Sequence, residues 1–406
     1  MGVPSLDTAA GTVVWFIPEW RRPLHWLPVL SAYVAAAPRD GDTCLCLDAR
    51  APDVPPETVR EMVVTACEWL GEGESFAEVL LVEEPLDPAP GAVVGSAAEL
   101  IERLALSPPR PSDDAEALKV HALWAKKLVD RLQAEADRAL LMHAREPSAE
   151  EHPLVTVRIP TYGSAELLVQ RALPSVLNGS YRNVEVLVCS DGPQPHARAA
   201  VERVGDPRVR YLELERRLPY PERARPFWQT AGTHPVNRLL DEARGEFVAP
   251  LDHDDAFTRD HVEALLNGLR SGGVDFVYGQ AVTEEADRTW GIVGSAPLRH
   301  AQIVHASVLY SMSRLGHMRY DPHAWMLDEP GDWNMWRRIA EAGAAIGHLA
   351  VPVALHFGEG SSMEGRPAGS DVDDFVNDVL GTSASALLGV GSPSRGLLPQ
   401  EAEAGD

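Results

Sequence analysis

The stretch Gly245-Glu-Phe-Val-Ala-Pro-Leu-Asp-His-Asp-Asp255 decides how this chain is read. Phe247 to Leu251 is an apolar run of strand length, and it stops abruptly at Asp252-His253-Asp254-Asp255. In extended backbone Asp252 and Asp254 point to the same side, because side-chain direction alternates with period 2. The carboxylates clustered at this strand end repel one another unless a cation sits among them. Hard oxygen donors of this type suit Mg²⁺ or Mn²⁺, which take one or two protein carboxylates and leave positions for substrate phosphates. The plainer reading is an acidic cap for the next helix, with Thr258 as N-cap of a segment starting at Asp260, but a cap needs one acid rather than several.

Outward from this stretch, Val155 to Ile159, Val184 to Val188, Arg208 to Leu214 and Val274 to Tyr278 read as further strands. Helices are expected from Ala165 to Leu177, capped by Ser164 and bent at Pro174, and from Val236 to Ala243. In open α/β sheets ligands bind beyond the carboxyl ends of the strands, and Thr161, Asp191 and Asp252 fall there. Upstream, strands at Thr12 to Ile17, Thr43 to Leu47 and Glu78 to Val82 alternate with helical patterns at Leu27 to Ala37, Pro56 to Leu70 and, capped by Ser96, Ala97 to Leu106. That alternation predicts a small parallel α/β domain. The expected organisation is an accessory domain at 1–110, a linker helix at 111–147, the main α/β domain at 148–360, and a C-terminal helix (Val372 to Leu380) with a disordered polar tail within 361–406. The long helix, ended by Pro147, reads as a strut between domains, with a homodimer surface as the alternative.

Composition narrows the partners. A formal charge of −24 argues against nucleic acid or an anionic membrane surface. No run of about 18 apolar residues predicts a transmembrane helix, and Met1 to Asp7 lacks the basic start of a secretory signal. Cys44, Cys46, Cys67 and Cys189 sit in strand and helix patterns as small hydrophobes, which fits a reducing compartment; the cytoplasm is the expected location. An acidic protein that handles a phosphate-bearing ligand must bring local positive charge, from a metal or from clustered arginines. The segment Arg216 to Arg225 is such a basic loop.

Taken together, these residues resemble family-2 glycosyltransferases of the GT-A fold. The matching motifs are Val157-Arg-Ile-Pro-Thr-Tyr162, Glu185-Val-Leu-Val-Cys-Ser-Asp-Gly192, Asn237 to Gly245, Leu251-Asp-His-Asp-Asp255 and Gly331-Asp-Trp-Asn-Met-Trp-Arg-Arg-Ile339, in the family's order, over about half of the chain. The resemblance implies a GT-A type nucleotide-diphospho-sugar transferase domain, a Rossmann-like mixed sheet flanked by helices. The smaller N-terminal α/β domain is faintly similar to the nucleotide-binding half of a GT-B glycosyltransferase, without a glycine-rich phosphate loop, and is expected to be accessory.

The roles below are what the resemblance implies. Pro160, Thr161 and Tyr162 line the nucleotide pocket, with Tyr162 stacking on the base and Asp191 accepting a hydrogen bond from it. Asn237, Asp252, Asp255, His305 and Trp333 join the nucleotide-sugar site, and Arg217, Arg223 and Arg225 clamp the diphosphate. Asp252 and Asp254 form the D-x-D pair that, with His356 as third ligand, holds Mn²⁺ or Mg²⁺ on the donor diphosphate. Asp332 is the candidate general base. Family members often carry Glu-Asp at that point, whereas this chain has Gly331, so Glu329 is the second candidate. The implied activity is metal-dependent, inverting transfer of a sugar from a nucleotide-diphosphate sugar, a UDP-sugar first among them, to a hydroxyl or thiol acceptor. Two other readings are open from sequence: a non-catalytic module that binds sugar nucleotides or glycans, and a HAD-type phosphohydrolase. The last also places D-x-D after a buried strand, but it wants Thr or Val where Ala256 stands.

Overall fold

The computed structural model describes residues 12–36, 43–71, 78–83, 92–94, 99–100, 115–163, 165–284 and 289–358. The chain divides into two compact units, Met1–His143 and Ala144–Asp406. Ser96, Ser164, the proline-rich break after Ser107, the helix read at Val372 to Leu380 and the polar tail lie outside the described residues.

In the first unit, β1 (Thr12–Phe16), β2 (Thr43–Asp48), β3 (Glu78–Val82) and β4 (Ala92–Val94) form a parallel sheet in the order β3-β2-β1-β4. Helices Pro23–Ala36 and Pro56–Gly71 connect the strands, as the alternation predicts. Trp20, Trp26, Leu30 and Tyr33 are sealed in the core. The helix expected as a strut spans Ala115–Met142, and it buries Leu128, Val129, Leu132 and Ala136 in this same core. Its apolar stripe therefore has a partner within its own unit.

The second unit is built on a nine-stranded mixed sheet. Its strands are β5 (Val155–Thr161), β6 (Val184–Ser190), β7 (Val209–Glu213), β8 (Phe247–Pro250), β9 (Ala256–Phe257), β10 (Phe276–Glu284), β11 (Trp290–Val293), β12 (Val308–Ser311) and β13 (Ile346–His356). The order is β7-β6-β5-β8-β12-β10-β13-β9, with β11 added to β10. β7, β6, β5 and β8 run parallel, and β12 pairs antiparallel with both β8 and β10. Every residue of β5 is buried, the mark of a central parallel strand covered on both faces. Because these four strands are parallel, Thr161, Asp191 and Asp252 leave the sheet at the same edge.

Local departures from expectation have identifiable causes. The helix ahead of β6 begins at Ala165–Leu167, widens to a π-helical turn at Leu168–Ala172, and returns to α-geometry at Leu173–Leu177. The wide turn precedes Pro174, which has no N–H to give to a regular α-helical ladder. The helix after β9 spans His261–Gly272 with Asp260 at its N-cap. Thr258 does not cap it; its hydroxyl bonds the Val353 carbonyl and the Asp260 carboxylate instead, at 3.1 Å each.

Candidate active site

A cleft of about 590 Å³ opens at the carboxyl edge of the parallel strands. One end is made by Pro160, Thr161 and Tyr162 at the end of β5, Asp191 just after β6, and Arg217 and Phe227 from the connection that follows β7. The other end is made by Asp252, His253 and Asp254 after β8, His305, Tyr320, Asp332 and His356.

At the first end Thr161 Oγ1 and Asp191 Oδ1 are buried without a well-formed hydrogen bond, and the buried Tyr220 hydroxyl faces Asp191. The other oxygen of Asp191 accepts from Arg217 Nε at 3.4 Å. The Arg217 guanidinium also lies over the ring of Tyr162, 3.8 Å from its centroid. Gly192 makes this closure feasible. It has φ +92°, and a Cβ there would stand 2.7 Å from the backbone nitrogen of Arg217.

At the second end the carboxylates differ in environment. Burial works to raise the Asp252 carboxyl, but His305, electrostatically and through a 3.0 Å hydrogen bond, and then Arg158 outweigh it; the group lies below the usual carboxylate range. Burial, then the charge of Asp255, pushes the Asp254 carboxyl up. The Asp254 carbonyl is held by Arg171, which reaches it from the π-helical turn and stacks on Phe357. Asp255 is fully buried and faces away from the cleft. Its carboxylate accepts from the Phe357 backbone N–H at 3.1 Å and pairs with His356 Nδ1 at 3.0 Å, and its charge raises His356 to about 10.

Several residues expected in the site do other work. Asn237 does not border the cleft; it accepts from the Tyr320 N–H and donates to the Tyr320 carbonyl, at 2.8 Å each, and so fixes Tyr320. Glu329 is chelated by Arg337 at 2.8 and 3.0 Å and bonded by Asn334 at 2.8 Å, which leaves it neither free nor at the cleft. Gly331, where the family often has Glu, is buried against the helix Thr233–Glu242; a Cβ would meet Thr233 Cγ2 at 3.0 Å. Trp333 packs against His300 instead of lining the pocket. Arg223 sits at the N-cap of the helix Ala224–Thr230, Arg225 is tied at 2.8 and 2.9 Å to Asp328, and neither lines the cleft. Of the basic segment only Arg217 lines the cleft.

Tyr320, Phe227, Trp228 and Gln229 line the cleft without having been expected to. Tyr162, Phe227 and Trp228 are 49, 36 and 52% exposed, three aromatic side chains reaching solvent at the cleft. The only sequence signal for the last two was their position beside a basic segment.

A divalent cation suits this end in kind. Asp252 and Asp254 offer hard oxygens, and His356, its Nδ1–H held by Asp255, can add Nε2 only by giving up that nitrogen's proton as the cation binds. The expected set of Asp252, Asp254 and His356 is not a closed cage, because among the described residues no three such groups converge on one point. An open arrangement is what Mg²⁺ and Mn²⁺ take when water and substrate phosphate complete the shell.

A cleft with unpartnered polar groups and an acidic pair at the carboxyl edge of parallel strands lies where open α/β sheets bind ligands. Residues 156–327, which lie on the mixed sheet of the second unit, match Glycosyl transferase family 2. Asp332 and His356 lie beyond the matched span. The UDP-Glc:alpha-D-GlcNAc-diphosphoundecaprenol beta-1,3-glucosyltransferase WfgD of Escherichia coli is 32% identical over 126 residues, 31% of this chain and 45% of WfgD. The succinoglycan biosynthesis protein ExoO of Rhizobium meliloti is 32% identical over 127 residues, 31% of this chain and 33% of ExoO. The chain thus spans less than half the length of these two relatives. Among solved structures, S. aureus TarS 1-349 in complex with UDP-GlcNAc aligns over 55% of this chain and 63% of its own, with 15% identity and a TM-score of 0.38. No helix among the described residues is long and apolar enough to cross a membrane.

Proposed function

We propose that the protein transfers a sugar from a nucleoside-diphosphate sugar to a hydroxyl acceptor, with inversion at the anomeric carbon and with a divalent cation. The observation that carries this reading is the single cleft bordered by Thr161 and Asp191 at one end and by Asp252, Asp254 and Asp332 at the other. Asp191 Oδ1 is an acceptor at the cleft, faced only by the Tyr220 hydroxyl, so a ligand that meets it presents a donor, as the N–H of a nucleobase does. The WfgD relative uses UDP-Glc by its name, and UDP is the first nucleotide to test.

Asp332 is the base. It stands in the first turn of the helix Gly331–Glu341, where the N-terminal dipole favours a carboxylate, and its Oδ1 accepts from the Trp333 N–H at 2.7 Å, which leaves Oδ2 for a substrate proton. As the acceptor oxygen bonds to the anomeric carbon, its proton passes to Asp332. The bond from that carbon to the diphosphate breaks on the opposite face, and its electron pair leaves with the nucleoside diphosphate. Asp252, Asp254 and His356 would hold the cation, whose chemistry is neutralisation of the charge gathering on the leaving diphosphate. Asp191 and Thr161 fix the base, with Tyr162 beneath it once Arg217 moves aside.

The test is Asp332→Asn, followed by UDP release from a UDP-sugar and by UDP binding. Turnover is expected to fall about 10²–10⁴-fold, the usual worth of a positioned base, with the UDP Kd unchanged. Full turnover in the variant removes Asp332 from the role. A wild-type chain stabilised by none of UDP, GDP or dTDP, with or without Mn²⁺, removes the transferase reading itself.

A further inference from the structure

Arg158 belongs to the first motif of the domain, yet the proposed chemistry does not use it. It lies on the central strand β5, is wholly buried, and is in ion-pair contact with no carboxylate among the described residues. A buried guanidinium in that situation is destabilising unless its charge is answered nearby. Its Nη2 donates to His305 Nε2 and, at 2.5 Å, to the hydroxyl of Tyr320. The same hydroxyl lies 3.0 Å from His305 Nε2, and His305 Nδ1 lies 3.0 Å from Asp252 Oδ2. Asn237 locks the Tyr320 backbone from both sides, so the chain Arg158–His305–Asp252 is braced along its length.

The direction of these bonds is fixed by chemistry. A guanidinium can only donate, so His305 Nε2 must accept. The ring proton is then on Nδ1, and it is given to Asp252. We propose that Arg158 and His305 are positioning residues for the cation: the buried guanidinium fixes the His305 tautomer, and the His305 Nδ1–H holds one oxygen of Asp252 so that the other is presented to the metal. This rests on the cation role proposed for Asp252. It adds that the countercharge of the site is built into the sheet beneath it, on a strand that contributes no metal ligand.

Two isosteres of the histidine separate this from a packing role. The amide nitrogen of Asn overlays Nδ1 and can still donate to Asp252, whereas that of Gln overlays Nε2 and cannot. Mn²⁺ alone is titrated into the metal-stripped full chain, with the free ion followed by its electron paramagnetic resonance signal. His305→Gln is expected to raise the Mn²⁺ Kd by about 10-fold or more, the usual cost of losing a partner behind a metal ligand, and His305→Asn to stay within about threefold of wild type. Equal weakening in both variants, or no weakening in His305→Gln while Asp252→Asn does weaken binding, overturns the proposal and leaves the role of Asp252 standing. If wild type and Asp252→Asn bind Mn²⁺ alike, the cation role falls and this proposal with it. The part played by Arg158 has its own readout: the imidazole ¹⁵N–¹H spectrum of the ¹⁵N-histidine-labelled chain, with the His305 signals assigned by their loss in His305→Asn. An Nδ1–H tautomer is expected at pH 7.5; an Nε2–H tautomer refutes the relay.

Discussion

The two units present the same kind of edge and treat it in opposite ways. At the carboxyl end of the first sheet the acids are answered within the unit. Asp48 is held by Arg50 at 3.0 Å, Asp53 by Arg21 at 3.3 Å and Glu19 by Arg22 at 2.8 Å. These hydrogen bonds, from Arg50 and Arg22, hold the Asp48 and Glu19 carboxyls below the usual range. At the carboxyl end of the second sheet, Asp254 is pushed up by burial and by its neighbours. A parallel sheet edge does not by itself make a site. What marks the second edge is that Thr161 and Asp191 are buried with polar atoms that no well-formed hydrogen bond answers.

The sharpest way to break this comparison is to neutralise one acid at each edge. Asp252→Asn is expected to cut UDP-sugar turnover by about 10³-fold, since the charge neutralisation it supports is worth several kcal/mol and each 1.4 kcal/mol is a factor of ten. Asp48→Asn is expected to leave turnover unchanged and to cost at most about 1 kcal/mol of stability in urea unfolding, because its arginine partner is a third exposed. Similar losses of turnover in both variants would erase the distinction between a satisfied and an unsatisfied edge.

The same distinction explains what the sequence disclosed. The acids at 252–255 were legible because a charged run directly after a buried strand has few structural explanations, and Thr161 and Asp191 because they follow apolar runs. Arg158 carries no such signal, although it lies within a motif. In a strand its neighbours Val157 and Ile159 suggest an outward-facing charge, and only the placement of β5 between β6 and β8 turns that side inward. Tyr320 carried no signal, because it lies in an irregular stretch and owes its position to Asn237, 83 residues away. Asn237 was read as a ligand contact for the converse reason: a polar side chain in a family motif looks alike whether it meets a ligand or another segment's backbone. The helix Ala224–Thr230 was hidden in a segment read as a basic loop, since seven residues with a proline inside show no useful period. The fold followed from alternation of strands and helices, which is local; the bracing of the site is long-range and pairwise, and one sequence does not display it.

A smaller effect should separate the nucleotide end from the acid end. Asp191→Ala removes a buried acceptor with an oxygen that lacks a well-formed hydrogen bond, and a hydrogen bond to a charged group is worth about 1.5–3 kcal/mol. UDP is therefore expected to bind roughly 10- to 100-fold more weakly, with Mn²⁺ binding measured alone unchanged. Calorimetry reads both. If Mn²⁺ binding falls in step with UDP binding, the two ends are not independent sites, and the assignment of Asp191 to the base is wrong.

The smallest effect concerns the aromatic side chains at the cleft, where the two units again contrast. Trp20 and Trp26 of the first unit are sealed in its core and bond backbone carbonyls through Nε1, whereas Trp228 is half exposed on the cleft wall. Its helix is pinned by Arg225 and Gln229 to Asp328, a residue held at φ 57° just ahead of the turn that carries Asp332. The indole thus lines the same cleft as Asp332, and we propose that the acceptor approaches along it. An aromatic face is a platform for the apolar side of a sugar ring, and a contact of this kind is worth on the order of 1 kcal/mol. Trp228→Ala is expected to raise the acceptor KM about fivefold while leaving kcat, the UDP Kd and the unfolding midpoint unchanged. A matched rise in the UDP Kd would assign the indole to the donor instead, and a fall in the unfolding midpoint would mean that this tryptophan, for all its exposure, serves the fold as Trp26 does.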